Sequence, residues 1–439
     1  MNSAMMSKIP PNSLKGNVRI PGDKSISHRA LILGALAQGT TNITGLLEGD
    51  DILQTAKAMQ AFGANVKHIS TGHWQVKGLG SAGWRPPTAP IDFGNAGTGA
   101  RLVMGAAAGF DLQVSYLGDT SLSSRPMGRV LKPLTQMGAK FDSADDKLPI
   151  TQIGGGSLKP IQYTPPHASA QVKSAILLAG LNASGTTMLT EAHLTRDHTE
   201  NMLNSFGVKL VRKPKNKGQT IILEGPAHLH ATNINVPGDP SSAAFLIAAA
   251  LVVPGSDIMI ENVMMNETRT GLFGVLSEMG AFIHADNLRH SGGETIADLH
   301  IRHSKLRGVN VPADLVPSMV DEYPILAVIA ATASGKTQMR GLGELRVKES
   351  DRLAGTHALL TANGVDARIE GETLIVSGGR IAGGAKVKTH HDHRLAMSAL
   401  IMGLAADNPV SIDDNSMIAT SFPAFFDLLT QIGAPMDMV

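Results

Sequence analysis

Cysteine is absent from all 439 residues. That excludes disulfides, thiolate metal sites and any cysteine nucleophile or acid. A dominant charge is missing too: 38 Lys and Arg face 37 Asp and Glu, for a net charge of +1. No global field therefore recruits nucleic acid or a membrane surface, and any anion site must be built locally. Long apolar runs are lacking as well. "AAFLIAAALVV" (243–253) is too short to span a bilayer, and "MNSAMMSKIPPNS" at the N-terminus has no secretory core. A cytoplasmic protein is expected. What is present is 43% hydrophobic and 17% charged residues, the balance of an ordinary globular chain, long enough for roughly two or three well-buried domains.

"PGDKSISHRALILGALAQG" (21–39) has an unusual opening. A helix this apolar begins with Lys24, Ser25, His28 and Arg29, although cations are repelled by the partial positive charge of a helix N-terminus. An anionic ligand seated there would remove the conflict.

Repeats set the architecture. A helical pattern ending in glycine and then a small apolar residue recurs at Gly63, Gly138, Gly207, Gly280, Gly364 and Gly433, at intervals of 69 to 84 residues. Each glycine supplies a left-handed C-cap, and a strand follows. Each unit also opens with a polar loop feeding a very apolar helix, as in "GNAGTGARLVMGAAAG", "HASAQVKSAILLAGL" and "HHDHRLAMSALIMGLA". Helices so uniformly apolar belong in a core. "PGDK" and "PGDP" lie 216 residues apart, at 21 and 237, which is three repeats. The expected organisation is two α/β (α+β) domains of three units each, residues 23–241 and residues 1–22 plus 242–439. The N-terminal strand then joins the second domain.

Three matches are decoys. "ATASGKTQ" (331–338) has Ala330 where a P-loop needs its first glycine, and it follows a helical run. "GLGSAG" (78–83) is followed by "WRPP", which cannot continue a dinucleotide-site helix. "HHDH" (390–393) offers metal-type ligands, but adjacent loop residues rarely converge on one ion; no metal is expected.

Cations recur in the polar loops: Lys24, Arg29, Arg101, Arg125, Lys348, Arg352 and Arg394. Gathered at one cleft, they would suit a substrate carrying phosphate and carboxylate, because arginine grips both bidentately. Two carboxylates sit among them, Asp321 and Glu349. Either could move a proton under the influence of the neighbouring cations, or Glu349 could simply pair with Lys348 or Arg352. Glycines at 94, 97 and 99 let backbone amides approach a ligand.

"PGDKSISHRA", "GNAGTGARL", "LRVKESDRL" and "HDHRLAM", in that order over essentially the whole chain, resemble the 3-phosphoshikimate 1-carboxyvinyltransferase (EPSP synthase) family. "SAQVK", "RDHTE" and "NETR" further resemble its glyphosate-tolerant class II branch. The resemblance implies the enolpyruvyl transferase fold, an inside-out α/β barrel in which each of two similar domains has three βαβαββ repeats around buried parallel helices. The domains would close on ligand in the gap between them. It implies that phosphoenolpyruvate (PEP) gives its enolpyruvyl group to the 5-hydroxyl of shikimate 3-phosphate by addition and elimination, in aromatic amino acid biosynthesis. No cofactor or metal is implied, and the expected species is a monomer.

Carried over by motif, Lys24, Ser25, Arg29, Ser169, Ala170, Gln171, Arg196, Asp321 and Lys348 would bind shikimate 3-phosphate. Lys24, Gly97, Arg125, Gln171, Arg352 and Arg394 would bind PEP. Asp321 would take the 5-hydroxyl proton, Glu349 would transfer a proton at the PEP methylene carbon, and Lys24 would contact the reacting centre. One departure is Thr420, in "MIATSFPAFF", where many members have a PEP-binding lysine; the tolerant branch commonly shares it. Another is Gly97, where tolerant members usually carry alanine. A related enzyme that acts on a UDP-sugar typically uses a cysteine acid, which is lacking here. A non-catalytic phosphometabolite binder would gain nothing from Asp321 and Glu349.

Overall fold

The structure, a computed structural model, describes residues 4–438. Its longer helices are, in chain order, α1 (Lys24–Leu36), α2 (Asp50–Ala61), α3 (Gly97–Ala107), α4 (Gly128–Gln136), α5 (Ala170–Gly180) and α6 (His198–Ser205). They continue with α7 (Pro240–Val252), α8 (Gly271–Glu278), α9 (Tyr323–Thr332), α10 (Arg352–Ala362), α11 (His393–Gly403) and α12 (Phe425–Gln431). Odd- and even-numbered helices differ in kind, as the two repeated patterns predict.

The odd helices are the apolar ones. Every residue of α7 is buried, and in α9 all but Thr332. The even helices end in the repeated glycines, whose φ angles lie between +80° and +109°. At the end of α2, Gly63 N–H donates to Gln60 O at 2.9 Å and Ala64 N–H to Met59 O at 3.0 Å. The same pair of bonds closes α4, α6, α8, α10 and α12. This is a Schellman cap made six times; it satisfies orphan carbonyls and turns the chain into a strand.

Six four-stranded sheets share one topology. A first strand lies parallel to the second and two further strands complete the order antiparallel, as a hairpin in five of the six. In one sheet Ile91–Asp92 pairs with Gln113–Leu117, then Ile150–Ile153, then Phe141–Ser143. Three of the sheets are completed by strands remote in sequence. Ile234–Asn235 lies against Thr40–Thr44, Lys15–Arg19 against Asp257–Met264, and Met5–Ser7 between Val410–Ile412 and Asp437–Met438. The sheets stay open: no closed barrel of paired strands forms among the described residues. Outer strands such as Leu210–Lys215 are largely exposed and carry lysines, which discourages further pairing.

By contact density the chain divides into Gly22–Val236 and a second unit of Met1–Pro21 with Pro237–Val439. The sequence reading places the second crossing at 241. Residues 237–241 instead belong with α7, because Asp239 caps that helix by accepting from Ser241 N–H at 2.8 Å. Within the second unit α7, α9 and α11 pack on one another in a continuous apolar core. Within the first, α3 and α5 meet at Gly105, where a Cβ would stand 2.4 Å from Ala175 O; only glycine permits that approach.

Two glycines test the capping argument. Gly433 (φ +97°) and Gly274, inside α8, both have no atom within 4 Å of an added Cβ. Gly433→Ala should lose about 1–2 kcal/mol through backbone strain alone, whereas Gly274→Ala should gain up to about 1 kcal/mol of helix propensity. Urea unfolding of both variants measures the difference, and shifts of the same sign would reject it.

Candidate active site

The unit Gly22–Val236 gathers its candidate residues at the openings of α1, α3 and α5. Asp23 caps α1, its Oδ1 accepting from Ile26 N–H at 2.7 Å. A carboxylate thus sits at the helix end before the cations begin. Lys24 pairs with Asp51, in the first turn of α2. Arg29 is 3% exposed. Its Nε donates to Thr199 Oγ1 at 2.7 Å, Nη1 to Ser25 O at 2.8 Å and Nη2 to Ser174 Oγ at 2.8 Å. The guanidinium plane is fixed on three sides.

At α3 the residues converge more tightly. Gly97 opens the helix, and a Cβ there would lie 3.0 Å from Arg101 Nη1, 3.1 Å from Leu122 Cδ1 and 3.2 Å from Arg125 Nη1. Arg125 is buried; its Nη2 donates to Asn95 Oδ1 and to Ser121 Oγ. Gln171 donates to Thr98 Oγ1 at 2.8 Å and accepts from Arg101 Nη1 at 3.0 Å. Gly97, Arg125 and Gln171 therefore share one small region. Ser169 caps α5 and Ala170 is its first residue. Arg196 is half-buried in the segment between the strand Gly185–Glu191 and α6.

The second unit centres on Arg352, which is 1% exposed. Its Nε donates to Asp392 Oδ2 at 2.8 Å, Nη1 to Asp321 Oδ1 at 3.0 Å, and Nη2 lies on Glu349 Oε2 at 2.5 Å. Burial works against the charge, but Asp392, Glu349 and Asp321 outweigh it and hold the guanidinium pKa above its ordinary value. Arg394 donates from Nη1 to Asp321 O at 3.1 Å, with Nε 3.9 Å from Asp321 Oδ1. Asp321, Glu349, Arg352 and Arg394 are thus one cluster, and Lys348, half-buried, precedes Glu349 in the chain. Thr420 closes a 3₁₀ turn by donating to Met417 O at 2.7 Å.

Several participants escape a sequence reading. Asp51 and Asp392 hold Lys24 and Arg352, and Arg269 donates to Asp239 Oδ1 at 3.0 Å and Ser241 Oγ at 2.8 Å. Arg269 lies in "NETR", and Asp392 carries a local signal as an acid directly before the apolar α11, where it accepts from Arg394 N–H at 2.9 Å. In "HHDH" that carboxylate is committed to the cap and to Arg352, while His390 and His391 are exposed at positive φ.

His28 is fully buried beside this machinery. Its Nδ1 is bonded to Thr55 Oγ1 at 2.8 Å. Burial, then Lys24 and Arg29, lowers its pKa well below the ordinary value, so the ring is neutral in the folded state. The unfolded chain takes up the proton more readily, so His28 contributes stability that is complete above about pH 6.5 and is lost as pH falls. His28→Gln should reduce the acid-side slope of unfolding free energy by up to about 1.4 kcal/mol per pH unit. Urea titrations at pH 7.5 and 5.0 would show it, and an unchanged slope would contradict it.

Residues 9–429 match the family described as EPSP synthase (3-phosphoshikimate 1-carboxyvinyltransferase). A 3-phosphoshikimate 1-carboxyvinyltransferase of Phenylobacterium zucineum is 55% identical over 437 residues, covering 99% of this chain and 96% of that protein. The structure of an EPSP synthase from Acinetobacter baumannii aligns with TM-score 0.88 at 42% identity, covering 99% of this chain and 100% of that one. The enolpyruvyl transferase NikO from Streptomyces tendae aligns with TM-score 0.78 at 18% identity, over 100% and 99% of the two chains, a likeness of fold alone. The chain belongs to the EPSP synthase family.

Proposed function

We propose that this chain transfers the enolpyruvyl group of PEP to the 5-hydroxyl of shikimate 3-phosphate, releasing phosphate. The observation that carries the chemistry is that Asp321 and Glu349 share the buried Arg352 guanidinium. Asp392 already balances the buried guanidinium from the framework side, and Asp321 and Glu349 on its terminal nitrogens keep partial exposure, which suits carboxylates that move protons to and from a bound substrate.

In this reading Ser25, Arg29, Ser169, the Ala170 amide, Gln171, Arg196 and Lys348 hold shikimate 3-phosphate. Gly97, Arg125, Arg352, Arg394 and Gln171 hold PEP, with Lys24 touching both substrates. Asp321 accepts the 5-hydroxyl proton as that oxygen attacks C2 of PEP, and a proton reaches C3 from Lys24 or Glu349. The tetrahedral intermediate then loses a C3 proton to Glu349 while its C2–O bond to phosphate breaks. Phosphate release from PEP should therefore require shikimate 3-phosphate; release with a UDP-sugar acceptor instead would overturn the reading. Asp321→Asn should bind shikimate 3-phosphate but lose ~10²–10⁴-fold in kcat, and an unchanged kcat would remove Asp321 from the mechanism.

We assign the chain to the glyphosate-tolerant class on "SAQVK", "RDHTE", "NETR" and Thr420, with Gly97 as its departure. An alanine methyl at 97 would press on Arg101, Leu122 and Arg125 at 3.0–3.2 Å, so those groups must yield. Overpacking of this kind costs about 1–3 kcal/mol. Glyphosate is longer than PEP, so Gly97→Ala should raise its inhibition constant roughly tenfold or more, and KM for PEP less. Parallel inhibition and saturation curves test this, and equal factors for both ligands would refute it.

A further inference from the structure

Lys173, the last residue of "SAQVK", has no substrate contact assigned to it above, yet it is among the most buried side chains in the protein, at 1% exposure. It lies in the first turn of α5, its N–H bonded to Ser169 O at 3.1 Å. An ammonium so placed needs all three of its hydrogens satisfied. Its Nζ is 3.2 Å from Glu191 Oε1, 2.8 Å from Glu200 Oε1 and 3.2 Å from Thr195 O. Two of these partners are side chains that pin the end of the Gly185–Glu191 strand and the first turn of α6. The third is a backbone carbonyl in the segment joining them.

That segment is tied a second time. Thr195 Oγ1 donates to Glu191 Oε2 at 2.7 Å, and Glu191 Oε1 also accepts from Gln219 Nε2 at 2.8 Å. Thr195 is thus held through both its carbonyl and its hydroxyl, and the next residue is Arg196. The neighbour of Lys173 on α5, Ser174, is bonded to Thr199 Oγ1 at 2.7 Å, and Arg29 donates to both hydroxyls. Consecutive residues of α5 thereby fix the segment bearing one phosphate-directed arginine and the guanidinium of another.

We propose that Lys173 is the positioning residue for Arg196, acting through Thr195 and Glu191 to aim the guanidinium at the 3-phosphate. The proposal rests on the reading of Arg196 as a shikimate 3-phosphate ligand. An arginine on a free loop would lose entropy on ordering at each binding event, whereas one on an anchored segment has lost it on folding. Lys173 therefore acts on the affinity for one substrate and leaves the chemical step alone.

Lys173→Met would strand two buried carboxylates and could prevent folding, so the deciding variants lie one bond outward. Thr195→Val removes the hydroxyl and keeps the side-chain volume. It should raise KM for shikimate 3-phosphate several-fold, up to about tenfold, with kcat and KM for PEP within about twofold. Thr195→Ser, which restores the hydroxyl, should return KM to the wild-type value. In an Arg196→Met background, Thr195→Val should have no further effect on KM. An equal rise in KM in that background, or no rise in the wild-type background, overturns the positioning role while leaving Arg196 a ligand. An unchanged KM in Arg196→Met alone overturns the assignment of Arg196 itself, and the proposal with it.

Discussion

Burial of positive charge is the constraint on which this protein depends. Recognition of phosphate and carboxylate calls for guanidinium groups held rigidly and out of water, and a guanidinium out of water is unstable without negative partners. Arg352 shows the solution, with one partner at each nitrogen. The partners are not equivalent. The Asp392 side chain is fully buried, caps α11 and binds Nε, so it serves the framework. The side chains of Asp321 and Glu349 keep 16% and 21% exposure on the two terminal nitrogens. One ion cluster thus holds the cation and leaves two of its three carboxylates in reach of solvent.

The same constraint resolves the odd opening of α1. Lys24 and Arg29 follow an aspartate that caps the helix, and Lys24 finds Asp51 in the first turn of the next helix. The corresponding loop of the second unit keeps the cap at Asp239 but has Pro240 where α1 has Lys24. There the carboxylate engages Arg269, which also holds Ser241, and Ser241 in turn donates to Glu322. The same loop pattern thus carries its own cation at the helix start in one unit and draws an arginine from a later segment in the other.

Much of the fold could be read from sequence because its signals are local. A glycine at C′ followed by an apolar residue encodes a Schellman cap within six residues, and all six appear. Uniformly apolar helices announce a core with equal clarity. The sheets were less legible. Their edge strands Ile91–Asp92, Gln162–Tyr163 and Ile234–Asn235 are two residues long, too short for any alternation to register. Pairing of Met5–Ser7 with strands some 400 residues away leaves no local trace. In the site, the cations stood out by their position in equivalent loops, but their supports did not. Asp51 and Glu191 carry no local signal of burial, and only tertiary structure buries them, as it does Glu200 of "RDHTE".

The Lys173 and Arg29 networks show why polar groups are retained in helices that could otherwise be wholly apolar. Replacing a buried ion cluster with hydrocarbon is often neutral or stabilising, so stability alone does not account for Lys173, Glu191 and Glu200 at 1%, 5% and 0% exposure. An apolar contact is indifferent to rotation and small slides, whereas the Lys173 ammonium, hydrogen-bonded to Glu191 Oε1 and Thr195 O and ion-paired with Glu200, favours specific directions. The segment around Arg196 and the first turn of α6 have little apolar surface with which to define their own position; Thr195, His198, Thr199 and Glu200 are buried there as polar groups. Their placement must come from directional bonds. A buried polar network of this kind supplies the precision of placement that hydrophobic packing cannot.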